Sequence, residues 1–120
     1  MRVLIVEDEP MLQQAYSFTL RHKGYHIALA TDGQEALQLL KHFKPTLILL
    51  DILMPRLDGR EFLLQARIKE DHPEVTVIAL SNLSDQKTNE FMLQHGAGQV
   101  VLKSDLSPLQ LISLVEQNCA

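Results

Sequence analysis

The feature that most constrains the fold of this chain is an apolar run at residues 47–50 that ends in Asp51. Four consecutive large apolar residues between turn signals are typical of a strand that is buried on both faces, as in the centre of a parallel sheet. Asp51 is then expected at the carboxyl end of that strand, the edge at which open α/β sheets bind ligands. A carboxylate at a buried strand end is costly without a partner, so Asp51 is a candidate functional residue.

Polar strand ends recur along the chain. A second apolar run, at residues 3–6, also ends in acids, Glu7 and Asp8. Sequence pattern predicts three further strands, at residues 25–30, 75–80 and 100–102. The last two of these end in Ser81 and Lys103. The sequence therefore places carboxylates, a hydroxyl and an ammonium group at the ends of four strands.

Five helical patterns separate or follow the strands. Their predicted starts are Pro10, the caps Asp32, Asp58 and Ser84, and Pro108 behind the cap Ser107. The third helix is predicted to reach His72. This alternation predicts one α/β domain over residues 1–120, a doubly wound five-stranded parallel sheet with right-handed crossovers and helices on both faces. In the flavodoxin-like order 2-1-3-4-5, the polar strand ends converge at the switch point.

Composition excludes several classes of function. The formal net charge is −4 and no run of Lys or Arg is longer than two residues, so direct nucleic-acid binding is not expected. The first residues are too polar for a signal peptide or a membrane span, which predicts a cytoplasmic protein. Cys119 is the single cysteine, which leaves neither an intrachain disulfide nor a zinc cluster.

The converging polar side chains predict phosphoryl-transfer chemistry. Asp8 and Asp51, with Glu7 beside them, form a negative cluster that needs a compensating cation, and hard oxygen ligands suit Mg²⁺. Lys103 and Ser81 supply a positive charge and a hydroxyl for phosphate oxygens. An aspartate can itself act as a covalent phosphate acceptor.

Along its whole length the sequence resembles the receiver domain of two-component response regulators. The motifs that carry the resemblance are VEDE at residues 6–9, DILMPRLDG at 51–59, ALSN at 79–82, GA at 96–97 and VLK at 101–103. The resemblance implies that Asp51 is the phosphoacceptor, that Ser81 is the switch hydroxyl and that Lys103 binds phosphate. It also implies a Mg²⁺ site made by Glu7, Asp8, Asp51 and the backbone carbonyl of Leu53.

The resemblance implies a signalling module rather than an enzyme. A sensor histidine kinase or a histidine phosphotransfer protein donates a phosphoryl group to Asp51, and slow self-dephosphorylation removes it. The surface formed by the loop after the fourth strand, the fourth and fifth helices and the fifth strand then changes for a downstream output domain or protein, with a homodimer through the same surface as one option.

Two other functions share parts of this chemistry. An aspartate-nucleophile phosphatase would carry its nucleophile in a D-x-D pattern after the first strand, and residues 7–9 (Glu-Asp-Glu) lack that pattern. A flavin-binding module of the same architecture would need a phosphate-cradling loop after the first strand and stacking aromatic residues. The loop at residues 9–11 is acidic instead, and the chain has no tryptophan.

Two positions depart from the family pattern. Val100 replaces the usual aromatic switch residue three positions before Lys103, so a ring that swings inward is absent. Ser104 replaces the usual proline after Lys103, and because a non-proline cis bond costs about 2.5–4 kcal/mol, we expect a trans peptide there.

Several leucines are expected to be functional at the surface. Leu53 and Leu83 flank the approach of water to the phosphoryl group in this family, which predicts slow dephosphorylation. Leu93, Leu109 and Leu114 are predicted to lie off the core stripe of their helices, as apolar contacts for a partner. The core stripe of the last helix is predicted to include Leu111, Ile112, Val115 and Cys119.

Overall fold

The computed structural model describes residues 1–54, 56–82 and 85–118. Its sheet is parallel, in the strand order β2-β1-β3-β4-β5. The strands are β1 (Arg2–Val6), β2 (His26–Ala30), β3 (Leu47–Asp51), β4 (Thr76–Ser81) and β5 (Ala97–Leu102). The helices are α1 (Pro10–His22), α2 (Gly33–His42), α3 (Gly59–Ala66), α4 (Gln86–Gln94) and α5 (Pro108–Gln117). The predicted doubly wound order is confirmed.

Interior strands such as β1 and β3 supply both faces of the core. Along β1, Leu4 packs into a cluster under α2, α3 and α4, whereas Ile5 packs into a second cluster under α1 and α5. Along β3, Ile48 and Leu49 alternate in the same way. Because successive side chains of a strand point to opposite faces, an unbroken apolar run is required when helices cover both faces.

The third helix is shorter than predicted. It ends at Ala66, because Arg67 takes a left-handed conformation with φ of 51° and interrupts the helical backbone. A separate helical turn, Ile68–Asp71, follows, and the Ile68 side chain still reaches the core. The predicted continuous helix to His72 was wrong, since periodicity records which side chains are buried and not whether the backbone is continuous.

Two boundaries in the second half of the chain differ from the sequence prediction. The described residue that caps α4 is Asp85, which accepts a hydrogen bond from the Lys87 amide; the predicted cap, Ser84, lies outside the described residues. Strand β5 begins at Ala97, three residues before the predicted start at residue 100. A bulge near Gly98 shifts its register against β4.

The last helix buries only part of the predicted stripe, since Leu111 and Val115 are in the core as predicted. Its start is confirmed, because Ser107 and Gln110 form a capping box. Leu114, expected on the surface, lies in the core with Leu111, whereas Ile112, expected in the core, is half-buried. The predicted core residue Cys119 lies outside the described residues. With apolar residues on several sides of one helix, periodicity leaves the phase of the stripe ambiguous.

Other local predictions can be checked along the described chain. The described residues contain no cis peptide bond, which confirms the trans bond expected after Lys103, and Lys103–Asp105 forms a 3₁₀ turn. On α1 the buried residues include Tyr16 and Leu20, whereas Ala15 is exposed. Within the described ranges, no helix has the length and apolar character that crossing a bilayer requires.

Candidate functional site

The carboxyl edge of the sheet gathers a buried cluster of charges. Glu7 directly follows β1, Asp51 ends β3 and Lys103 directly follows β5. The Lys103 Nζ atom lies 2.7 Å from Glu7 Oε2 and 3.0 Å from Asp51 Oδ2. The side chains of Lys103, Glu7 and Asp51 are 8%, 1% and 3% exposed, so one ammonium group bridges two carboxylates out of contact with solvent.

The second buried carboxylate and the loss of solvent shift the titration of Asp51. Burial, and then the charge of Glu7, raise the pKa of Asp51 from 3.8 to about 7, although the contacts with Lys103 act in the opposite direction. Two acids that share one cation leave an excess of negative charge. The site therefore favours either a proton or a further cation.

Lys103 is held in its charged form by the same cluster. Burial by itself lowers the pKa of Lys103, but the contacts with Glu7 and Asp51 outweigh burial, and the net shift is upward. Burial raises the pKa of Tyr16, on the α1 side of the site; the charge of Lys103 acts against this shift, and the nearby carboxylates act with it. The ammonium group thus stays charged wherever the acids are ionised.

Three acids form a group with the spacing of metal ligands. Carboxylate oxygens of Glu7, Asp8 and Asp51 all lie within 4.8 Å of one another, and Asp8 is the exposed member. Glu7 Oε1 accepts a hydrogen bond from the Glu9 amide, 3.2 Å away. The buried Glu7 Oε2 has the ionic contact with Lys103 but no hydrogen bond of suitable geometry. This donor set of hard oxygens, with one incompletely satisfied, suits Mg²⁺.

The loop after Asp51 is packed closely against the strand end. The Gly59 amide donates to the carbonyl of Ile52 at 2.9 Å, and a Cβ at Gly59 would lie only 2.6 Å from the Asp51 carbonyl oxygen. The Leu53 amide donates to Asp51 Oδ1 at 3.3 Å, and the Leu53 side chain is exposed. The Asp51 carboxylate therefore receives a backbone donor from its own loop in addition to Lys103.

Ser81 lies beside this loop at the end of β4. It is paired in register with Leu102, the residue before Lys103, and its side chain is buried. A cavity of about 110 Å³ is lined by Ser81, Ile52, Leu53, Asp85 and Thr88. The predicted strand-end residues are thus brought to one edge, whereas Leu83 lies outside the described residues. Val100 is half-buried and packs against the core under α4.

Two features near the site were missed from the sequence. The Gln13 side chain donates to the backbone carbonyls of Glu7 and Ala30, which ties α1 to two strand ends. Arg56 forms an ion pair of 2.7 Å with Asp32, which sequence pattern identified only as a helix cap. Neither contact has a signal in the sequence, because each joins segments that only the folded sheet brings together.

Similarity to known proteins agrees with this geometry. A family model described as the response regulator receiver domain matches residues 3–116. The chain belongs to this family. This receiver domain carries Glu7, Asp51 and Lys103 on the carboxyl edge of its sheet.

Two curated relatives match most of this chain but only about half of their own length. The receiver domain is 38% identical to the probable C4-dicarboxylate response regulator DctR of Bacillus subtilis (strain 168), over 85% of this chain and 45% of that protein. It is 35% identical to response regulator RR06 of Streptococcus pneumoniae serotype 2, over 98% of this chain and 51% of that protein. The chain thus spans about half the length of these curated relatives.

A solved structure with a similar fold is the chemotaxis protein CheY4 of Vibrio cholerae. It aligns with a TM-score of 0.89 and 25% identity, over 98% of each chain. The five-stranded sheet and its flanking helices are therefore shared over nearly the whole receiver domain.

Proposed function

We propose that Asp51 accepts a phosphoryl group from a phosphohistidine on a sensor histidine kinase or a histidine phosphotransfer protein. The observation that carries this proposal is the buried contact of the Asp51 carboxylate with Lys103, which also contacts Glu7, at the carboxyl edge of the sheet. Family membership supports the same class of reaction. A carboxylate with an ammonium group 3.0 Å away is suited to receive a group with negatively charged oxygens.

The transfer is a displacement at phosphorus. A carboxylate oxygen of Asp51 forms the new bond to phosphorus as the bond to the donor's imidazole nitrogen breaks. The leaving imidazole keeps the electron pair of that bond and is neutral once it holds a single ring proton. Lys103 balances charge on the phosphoryl oxygens, and the Ser81 hydroxyl donates a hydrogen bond to one of them. The phosphorylated receiver is an acyl phosphate on Asp51.

Mg²⁺ belongs to the same proposal. Glu7, Asp8 and Asp51 would hold it, with the Leu53 backbone carbonyl as a further ligand by family resemblance. When bound, Mg²⁺ neutralises negative charge on the carboxylates and on the phosphoryl oxygens. The mutual proximity of the three acids and the incompletely satisfied Glu7 oxygen support this assignment.

Incubation with Mg²⁺ and acetyl phosphate, followed by intact-mass measurement, tests the proposal. The parent protein is expected to gain one phosphoryl group, and Asp51→Asn is expected to gain none. Continuous release of inorganic phosphate with high turnover would identify a phosphatase instead. A parent protein that remains unmodified, with Mg²⁺ present and the fold intact, would refute phosphoacceptor function.

The proposed output surface consists of α4, β5 and α5. Leu93 lies on α4, the helix that follows Ser81, and is 44% exposed. Leu109 lies on α5, the helix that follows Lys103, and is 79% exposed. Leu114 is removed from this surface because it is buried in the core. A downstream output domain or protein, or a second copy of the chain, would bind here after phosphorylation changes the populations of the conformations that this surface adopts.

Paired leucine substitutions test the surface. Leu93→Gln with Leu109→Gln should weaken phosphorylation-dependent association and leave the mass gain at Asp51 unchanged. Leu64→Gln on α3, another exposed leucine, is the matched control and should leave association intact. Equal association in both variants would place the interface elsewhere.

The proposal describes a signalling module in the cytoplasm rather than an enzyme with turnover. Its partners are the phosphodonor and the output domain or protein. The named relatives are called response regulators, and RR06 and DctR each extend well beyond the matched region. Activities of those additional regions are not transferred to this chain.

A further inference from the structure

An ion pair outside the charge cluster joins the loop after Asp51, residues 52–58, to the start of α2. Arg56 Nη2 lies 2.7 Å from Asp32 Oδ2, and the Asp32 side chain is almost entirely buried. The other carboxylate oxygen, Oδ1, accepts the Glu35 amide at 2.9 Å and so caps α2. Each oxygen of Asp32 therefore has a separate partner, one local and one from the loop after Asp51.

A backbone contact lies beside this ion pair. The Gly33 amide donates to the Leu57 carbonyl at 2.8 Å. A Cβ at Gly33 would lie 2.5 Å from the same Leu57 oxygen, so only glycine permits this approach. The ion pair and this hydrogen bond hold consecutive loop residues against consecutive residues at the start of α2.

The residue that makes this ion pair, Arg56, also has an unusual backbone conformation. Its φ is 64°, in the left-handed region that is unfavourable for residues other than glycine. Such a conformation persists when surrounding contacts determine it. The contact with Asp32 and the adjacent Gly33 hydrogen bond are two such determinants.

The loop begins directly after Asp51 and contains Leu53. Its far end is fixed by the Gly59 amide, which donates to Ile52. Leu53 lies three positions before Arg56 in the same loop, so we expect a displacement of Arg56 to change the orientation of the Leu53 carbonyl. Metal affinity depends on such orientation, because ligands held in place need not be ordered on binding.

We propose that Arg56 and Asp32 are positioning residues for the Mg²⁺ site, and that their ion pair keeps the Leu53 backbone oriented for the metal. This inference rests on the proposed function. Neither side chain contacts the metal in this proposal. Loss of either partner lowers Mg²⁺ affinity and the rate of Asp51 phosphorylation while the α/β fold is kept.

Four variants of the complete chain separate positioning from general stability. Arg56→Ala removes the loop partner, and Asp32→Asn removes the charge but retains an oxygen that can cap α2. Each is expected to weaken Mg²⁺ affinity about fivefold to tenfold, near the low end for residues that orient metal ligands. The double variant should bind Mg²⁺ no more weakly than either single variant, because each single change already removes the same ion pair. Arg56→Lys should recover most of the affinity.

Arg67→Ala is the matched control. Arg67 is also left-handed, with φ of 51°, is 60% exposed against 67% for Arg56, and pairs with Asp71 at 3.2 Å. It follows α3, about 12 Å along the helix from the loop. The Mg²⁺ affinity of the Arg67→Ala variant should equal that of the parent protein.

Two readouts distinguish the possible failures. Calorimetry measures Mg²⁺ affinity, and amide hydrogen exchange at Gly33 reports its bond to Leu57, with faster exchange expected in Arg56→Ala. A parent without Mg²⁺ affinity would overturn the proposed metal site and this inference together. A parent that binds Mg²⁺, with Arg56→Ala equal to Arg67→Ala, would overturn only the positioning role. Faster exchange without loss of affinity would also overturn it, because the ion pair would then be purely structural. If Arg56→Ala fails to fold, Asp32→Asn decides by the same criteria.

Discussion

Asp32 and Asp51 are both aspartates whose side chains are hardly exposed, at 4% and 3%, yet their pKa values move in opposite directions. The pKa of Asp32 is lowered, first by the Glu35 amide and further by Arg56, against an opposing effect of burial. The pKa of Asp51 is raised to about 7 by burial and by Glu7. Low exposure alone therefore does not determine the ionisation of a carboxylate.

The difference lies first in the loss of solvation, which is the largest cause of the raised pKa of Asp51, and then in the partners of each carboxylate. Both aspartates have a donor on each oxygen, but Asp32 has a cation of its own, whereas Asp51 shares Lys103 with a second buried acid. A carboxylate with its own donors and cation is stabilised as an anion and serves structure. A carboxylate with an excess of negative charge around it has free energy to gain from a metal ion or a new bond.

The largest expected contrast is in Mg²⁺ affinity. Asp51→Asn and Asp8→Asn should each weaken binding by about 100-fold, because each removes a charged ligand. Asp32→Asn should have the smaller effect of a positioning residue. Calorimetric titrations of the three variants check the order, with Asp71→Asn as a remote carboxylate control. Unchanged affinity in both Asp8→Asn and Asp51→Asn would contradict the metal site.

The next contrast is in stability without metal. Between about pH 4 and 7 the folded state holds a proton on Asp51 that the unfolded state lacks, so this group lowers the free energy of unfolding as pH rises through that window. Asp51→Asn removes the penalty. It should stabilise the protein by about 1–3 kcal/mol at pH 8 and lose that advantage near pH 4.

Urea unfolding in EDTA at both pH values measures the difference. Asp32 should behave in the opposite sense, because its lowered pKa means that its contribution is present at neutral pH and is lost as pH falls through the folded-state value. An equal gain for Asp51→Asn at pH 8 and pH 4 would show that its pKa is not raised.

A smaller effect is expected from the helix cap at Asp32. Asp32→Ala should cost about 1 kcal/mol of unfolding free energy, because the Glu35 amide loses its acceptor. Asp32→Asn should cost less, since the amide oxygen can still accept that bond. Thermal or urea denaturation at neutral pH compares the pair, and equal losses would mean that the ion pair dominates the cap.

The smallest change concerns the lifetime of phosphorylated Asp51. Leu53 is exposed next to the acid and cannot hydrogen-bond to water. Leu53→Asn should therefore accelerate dephosphorylation by a few-fold, because an amide can orient an attacking water. Decay of the phosphorylated mass over time measures the rate, with Leu64→Asn as the exposed control. Identical decay in the two variants would remove Leu53 from this role.

Much of the fold followed from local pattern. Short apolar runs and helix caps predicted five parallel strands and their crossovers, and polar strand ends predicted where the candidate site would form. Chain pattern was sufficient there because strand burial and capping depend on residues close in sequence. It was insufficient for Leu114, because a helix with apolar residues on several sides does not reveal which stripe faces the sheet.

By itself, the sequence determined the parallel α/β architecture and the collection of acids, hydroxyl and lysine at strand ends, since side-chain periodicity and chain direction dictate both. Only the tertiary structure decided that Lys103 contacts Glu7 and Asp51 together, and that Arg56 reaches Asp32. These contacts join segments far apart in the chain. Their distances, and the pKa shifts that follow, depend on how the sheet packs its loops and excludes water.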